Sequence, residues 1–262
     1  MILLLDIGNT HTHLGLADAR GVRKQANIKT ALWVTDNADA PLRRFVGKAK
    51  IDGVSLCSVV PAVTGKAVAL ARKHFAVTAL ELTPRTVSGV GINYPQPNRI
   101  GPDRLANAVA LRHHFGAPSV AVAFGTALAF DVVDAQGDYV GGIIAPGLAA
   151  MTDYLHDKTA LLPRITIRET SSVIGKSTRE AMLIGAVHGY RGLVRELILE
   201  LKRELACRRL PVVATGGYAE LIAAKLPEIT AVEPNLTLEG LRLVWLANNL
   251  ATRPASRTIR RA

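Results

Sequence analysis

Cysteine is nearly missing: Cys57 and Cys207 are the two present in 262 residues. Two thiols exclude a disulfide-stapled scaffold and a zinc ribbon or knuckle, and in apolar surroundings both read as buried free thiols in a reducing compartment. Aromatic residues are scarce at 5%, and the basic tail holds none. That argues against a nucleic-acid surface, which interleaves basic and aromatic side chains. No apolar run is long enough to cross a bilayer; Val120 to Phe130 is broken by Gly125 and Thr126 and stopped by Asp131. Met1 to Leu5 meets Asp6 at once, too short for a signal peptide and without its basic flank. A cytoplasmic location is expected, with no membrane partner. Acid is also in deficit, with 21 acidic against 32 basic side chains and a net charge of +11. Four of those charges, Arg253, Arg257, Arg260 and Arg261, lie in a tail with no acid. Such a balance favours anionic ligands such as nucleotides, without separating them from nucleic acid.

Several catalytic signatures are absent too. Gly175-Lys176-Ser177-Thr178 ends like a phosphate-binding P-loop, but Thr170 stands where the required glycine should be. A helix start capped by Ser177 or Thr178 is the simpler reading. There is no Gly-x-Ser-x-Gly elbow and no His-Glu-x-x-His helix. His11 and His13 flank Thr12 without acidic or thiol ligands at metal spacing, and read as solvated strand histidines.

Apolar residues make up 49% of the chain, enough for a sizeable core in one large domain or two small ones. The pattern contains an echo. Leu3-Leu4-Leu5-Asp6-Ile7-Gly8-Asn9-Thr10 is an apolar strand ending in a small polar turn, and Val120 to Ala127 has the same shape. Each opens a meander of three strands joined by short turns, the first running to Lys29 and the second to Ile144. Strand and helix patterns then alternate. Val54–Val60, Thr78–Leu82 and Leu210–Ala214 read as strands, and Ala62–His74, Gly147–His156, Ser177–Leu205, Tyr218–Lys225 and Leu238–Asn249 as helices. Asn235, Thr237 and Glu239 offer capping for the last helix. The expectation is an α/β fold of two similar lobes with a central cleft. The N-terminal lobe spans 1–100, the C-terminal lobe 101–252, and a basic tail without order 253–262. The Pro- and Gly-rich stretch from Pro84 to Pro102 reads as a long loop between the lobes.

Asp6-Ile7-Gly8-Asn9-Thr10 joins a carboxylate to a glycine turn with two side-chain donors, a combination suited to phosphates and their Mg²⁺. An ordinary hairpin turn is the competing reading, and the second copy at Gly125-Thr126 weighs against it. Gly101-Pro102-Asp103-Arg104 opens a helix. Asp103 could be a mere cap, but an Asp beside an Arg also suits a base with an anion clamp. Gly141 to Gly147 and Thr215-Gly216-Gly217 are glycine turns that read equally as packing or as close approach to a ligand.

In this order, these six segments resemble type III pantothenate kinase and its relatives, the Bvg accessory factor proteins, over nearly the whole chain except the Arg-rich tail. The resemblance implies the duplicated acetate and sugar kinase/Hsc70/actin fold. It implies phosphorylation of pantothenate to 4'-phosphopantothenate by ATP, the first step of coenzyme A biosynthesis. It implies a homodimer, Mg²⁺ and a monovalent cation, K⁺ or NH₄⁺. By the same resemblance ATP is held by Asp6, Ile7, Gly8, Asn9, Thr10, His11, Thr12 and His13, and by Thr126 of the second motif. Pantothenate is met by Tyr94, Gly101, Pro102, Asp103, Arg104 and Thr178, with Asp103 the catalytic base. The second motif departs from the family: Ala123 replaces its opening Asp, and Leu128 and Ala129 replace two threonines, while Thr126 and Asp131 remain. Two alternatives stay open on the residues alone. One is a non-catalytic relative with a regulatory or nucleic-acid-associated role, and the other is a kinase of the same fold with another acceptor.

Overall fold

The structure, a computed structural model, describes residues 1–250. The tail expected at 253–262 lies outside the described residues. Helices and strands alternate, and the chain divides into two compact units.

The first unit holds Met1–Gly89, Gln96–Val109 and the chain from Thr237. Its sheet begins with the expected meander, β1 (Ile2–Ile7), β2 (His11–Asp18) and β3 (Gly21–Lys29). The strands β4 (Gly53–Ser58) and β5 (Ala79–Glu81) then add in parallel, giving the order β3-β2-β1-β4-β5. Side chains alternate across the sheet. One face presents Leu3, Leu5, Ile7, Leu14, Leu16, Val54 and Leu56 to a core closed by α1 (Ala31–Val34), α2 (Asp39–Val46) and α3 (Pro61–Phe75). Trp33, Leu42, Phe45, Val63 and Ala67 supply the helical side of that core. The opposite face carries Leu4, Asp6, His13, Gly15, Ser55 and Cys57 by the same alternation.

Two further helices contribute to this unit, α4 (Pro102–Phe115) through its first part and α9 (Leu236–Leu250) from Thr237 onward. In the first unit Leu238 packs on Gly15, and Trp245 lies over Gly53. Thr237 does not cap its helix. It donates from Oγ1 to Asn107 Oδ1 at 2.8 Å, and Glu239 is paired with the buried Arg242. The two compact units therefore differ from a single division near residue 100, because α9 joins the first unit through contacts far apart in sequence.

The second unit holds Val90–Pro95 and Ala110–Leu236. Its meander is β7 (Ser119–Phe124), β8 (Ala127–Val133) and β9 (Asp138–Pro146). β10 (Val212–Thr215) and β11 (Ala231–Val232) add in parallel, so β9-β8-β7-β10-β11 repeats the order of the first sheet. The short β6 (Gly91–Ile92) lengthens it beside β9. Val120, Val122, Phe124, Leu128 and Phe130 face α5 (Leu148–Lys158), α7 (Tyr190–Glu204) and α8 (Ala219–Ala223) across a second core. The continuous helix expected over Ser177–Leu205 is interrupted. α6 (Thr178–Ile184) passes into a π-helical turn at Gly185–Gly189 before α7 begins. That turn contains two glycines, and a π-turn inserts one residue into the helical ladder.

Candidate active site

Four neighbouring strands of the first sheet each place one polar residue in a single row. The register pairs His13 with Asn27, Asp6 with His13, and Asp6 with Cys57. The row therefore runs Asn27–His13–Asp6–Cys57 across β3, β2, β1 and β4, at the ends of β1 and β4. His13 Nδ1 and Asn27 Oδ1 are 2.7 Å apart. The Cys57 thiol donates to Asp6 Oδ1 at 3.3 Å.

Asp103 enters from the first turn of α4. Pro102 at the helix start needs no N–H partner there, so the turn begins without loss of a hydrogen bond. The Arg104 backbone N–H closes this turn by donating to Gly101 O at 3.0 Å. Asp103 is close enough for its charge to act on both Asp6 and Cys57. Burial raises the Asp6 carboxyl to about 6; the His13 charge opposes the rise, the Asp103 charge adds to it, and the Cys57 hydrogen bond opposes it. Burial also raises Asp103, against the pull of the Arg104 N–H and guanidinium. Burial and the two carboxylates push the Cys57 thiol well above its ordinary range. Two acids held near one another, both resisting ionisation, mark a place prepared for a cation and for proton exchange. Mg²⁺ fits this donor set. It is commonly held by one or two carboxylates together with substrate phosphates, and Asp6 offers a carboxylate with one oxygen bonded to the Cys57 thiol and the other available to a cation. No cluster of three or more metal-ligating side chains occurs among the described residues.

The turn after β1 is closed by the Gly8 N–H donating to His11 O at 3.0 Å. Asn9, Thr10 and His11 are exposed at its tip. Ile7 and Thr12 turn the other way. Ile7 is fully buried in the core, and Thr12 Oγ1 lies 3.1 Å from Thr30 Oγ1 while accepting from Trp33 Nε1 at 3.1 Å. Their side chains hold the hairpin in shape, while alternation along β2 puts His11 and His13 on the other face.

In the second unit the echoing turn has Gly125 and Thr126 exposed at its tip. A Cβ on Gly147 would stand 2.3 Å from Thr126 O, and one on Gly216 would stand 2.6 Å from Phe124 O. The two glycine motifs thus converge on this turn, which gives them a packing reason. Register shows what the second copy lacks. As Asp6 pairs with His13 and Cys57, Ala123 pairs with Ala129 and Thr215. The polar row is replaced by two alanines and a threonine, and this set offers no carboxylate for a monovalent cation. Tyr94 is exposed with its ring 3.4 Å from where a Gly141 Cβ would be. Thr178 is exposed and opens α6, where Ser177 Oγ is the cap, accepting from Glu180 N at 3.2 Å.

The structure brings Asp6, His13, Asp103 and Arg104 into one unit, and places Tyr94, Thr126 and Thr178 in the other. Cys57 was read from sequence only as a buried thiol. Val54 and Leu56 alternating with Ser55 and Cys57 was the available signal, since it makes β4 two-faced. Cys207, expected to be buried, is only half-buried.

The family model described as "Type III pantothenate kinase" matches residues 2–200. The chain belongs to the type III pantothenate kinase family. A type III pantothenate kinase of Methylacidiphilum infernorum is 43% identical over 244 residues, which span 93% of this chain and 87% of that one. Among solved structures, a conserved Baf family protein from Campylobacter jejuni covers 95% of this chain and 99% of its own, with a TM-score of 0.61 at 17% identity. An inorganic polyphosphate/ATP-glucomannokinase from Arthrobacter sp. covers 94% and 98%, with a TM-score of 0.50 at 11% identity. These two likenesses speak to the fold alone. With the repeated strand order, they make this type III pantothenate kinase family member an α/β protein of the duplicated actin-like class.

Proposed function

We propose that the chain transfers the γ-phosphoryl group of ATP to the hydroxyl of pantothenate, forming 4'-phosphopantothenate, the first step of coenzyme A biosynthesis. Membership of the family supports the reaction and its acceptor. The electrostatic coupling of Asp6 with Asp103 is the single structural observation that carries the assignment of roles. Phosphoryl transfer depends mainly on positioning and charge neutralisation. Asp103 accepts the proton of the attacking hydroxyl, and burial raises its affinity for that proton. Arg104, adjacent on the same turn, orients the anionic acceptor, with Gly101 and Pro102 shaping that turn. Asp6 holds Mg²⁺, which when bound neutralises phosphate charge. Gly8, Asn9, Thr10, His11 and His13 are the phosphate residues of the first motif. By the family resemblance, Thr126 is a further phosphate residue, and Tyr94 and Thr178 are acceptor residues.

The regulatory or nucleic-acid-associated alternative has no comparable support. We also propose a homodimer in the cytoplasm and turnover without a required monovalent cation, given Ala123 and Ala129. A coupled assay of ADP release by purified protein tests the main reading. Release dependent on both ATP and pantothenate is the expected result. Release indifferent to pantothenate would overturn the acceptor.

A further inference from the structure

We propose that Cys57 is a positioning residue for Asp6: its thiol proton pins Oδ1, so that the carboxylate meets the nucleotide's cation through Oδ2. The proposal rests on the reading of Asp6 as the Mg²⁺-holding carboxylate. Cys57 has no exposed surface, and the parallel register of β1 and β4 sets it directly beside Asp6. The 3.3 Å contact is within reach of a thiol donor.

The pinning matters for two physical reasons. Asp6 lies near the like charge of Asp103, so a carboxylate without a fixed partner would rotate to lower that repulsion. The second reason concerns the ion. Mg²⁺ demands near-octahedral geometry and takes few protein oxygens, whereas Ca²⁺ accepts bidentate carboxylates and more ligands. A carboxylate with one oxygen already engaged disfavours the bidentate grip and so biases the site toward Mg²⁺. The neighbouring strand β2 contributes His13, which Asn27 holds from the far side. Asp6 thus sits in a row whose members on both sides are fixed.

The test uses the full chain and the variants Cys57→Val, Cys57→Ala and Cys57→Ser. A non-hydrolysable ATP analogue is titrated calorimetrically in Mg²⁺ and, separately, in Ca²⁺. Val and Ala should each weaken binding of the Mg²⁺ complex about tenfold, as expected for loss of a hydrogen bond to a charged group. Their preference for Mg²⁺ over Ca²⁺ should narrow by about threefold or more, a readout that general loosening of the core would not move. Ser, which keeps a donor, should stay within about twofold of the parent on both measures. Circular dichroism checks folding, and if Val does not fold, Ala decides. Affinity and ion preference unchanged in Val and Ala would overturn the proposal, as would a Ser variant as impaired as Val. Asp6→Asn serves as the control: undiminished Mg²⁺-analogue binding there would overturn both the role of Asp6 and this proposal. A parent protein that binds the analogue but leaves pantothenate unphosphorylated would overturn only the acceptor, since the calorimetry involves no acceptor.

Discussion

Asp6 and Asp103 have similar environments and, in the function proposed above, different tasks. Each is pushed toward its protonated form by burial, and only Asp103 is drawn back by an N–H and a guanidinium of its immediate neighbour. Asp103→Asn keeps the shape of the side chain and removes the proton acceptor. We expect its kcat to fall by about 10² to 10⁴, with nucleotide affinity nearly intact by calorimetry. Near-parental turnover would remove Asp103 from the role of base. Burial pushes the Asp6 carboxyl up to about 6 in the folded protein, against an ordinary value of 3.8. Its contribution to stability is therefore full below about pH 4 and is lost as pH rises through about 6. Mg²⁺-nucleotide binding runs the opposite way, because it needs the ionised form. Affinity should rise with pH through about 6 and level off above it, and the rise should be smaller in Asp6→Asn. Identical pH profiles for the two proteins would contradict this. Ala123 belongs at the same scale. The rate should change little when Na⁺ replaces K⁺ at constant ionic strength, which holds general screening fixed, and Ala123→Asp should make it more K⁺-dependent. A strong K⁺ requirement in the parent would show that charge is supplied elsewhere.

Among the elements, α4 and α9 carry the most consequence for the site. Gly240 of α9 is pressed against the backbone of α4, where a Cβ would stand 1.9 Å from Ala106 O. Ala106 is one turn along from Asp103, so this contact also seats the catalytic turn. Gly240→Ala should destabilise by about 1–3 kcal/mol, as overpacking does, lowering Tm by several degrees in a scan and kcat along with it. An unchanged melting temperature would show that the helices separate freely. Both meanders were legible in sequence because alternation and turn residues are local signals. The helices α1 and α2 were missed, being four and eight residues long with little room for periodicity to register. The π-turn was missed because apolar spacing continues across Gly185–Gly189 with no breaker stronger than glycine. In the site, Asp6, Asp103 and Arg104 were legible through turn chemistry and family resemblance. Cys57 and Asn27 were not, since they join Asp6 only through pairing between strands far apart in sequence.

At the scale of the whole molecule, the second unit carries apolar side chains that the other described residues leave exposed. Met151, Tyr154 and Leu155 lie at helical spacing on α5, and Leu161, Val173 and Ile174 are exposed in the segment that follows. Exposed apolar side chains at helical spacing support the proposed dimer by offering a face for a second copy. Light scattering at micromolar concentration should give about twice the 27.9 kDa chain mass. A single species of chain mass would refute the dimer. Changing Tyr154 and Leu155 to Ser should shift the population toward that mass if α5 lies in the interface.

The repeated strand order has a consequence for how freely each half can drift. Two sheets built to one plan start with the same positions available for chemistry, yet the row that is Asp6, His13 and Cys57 in one is Ala123, Ala129 and Thr215 in the other. In this chain the second copy carries no carboxylate at that strand end, and its glycine turn is set by backbone geometry, since a Cβ at Gly147 or Gly216 would stand within 2.6 Å of the turn's carbonyl oxygens. Thr126 aside, that turn should therefore tolerate a changed side chain more readily than a changed glycine.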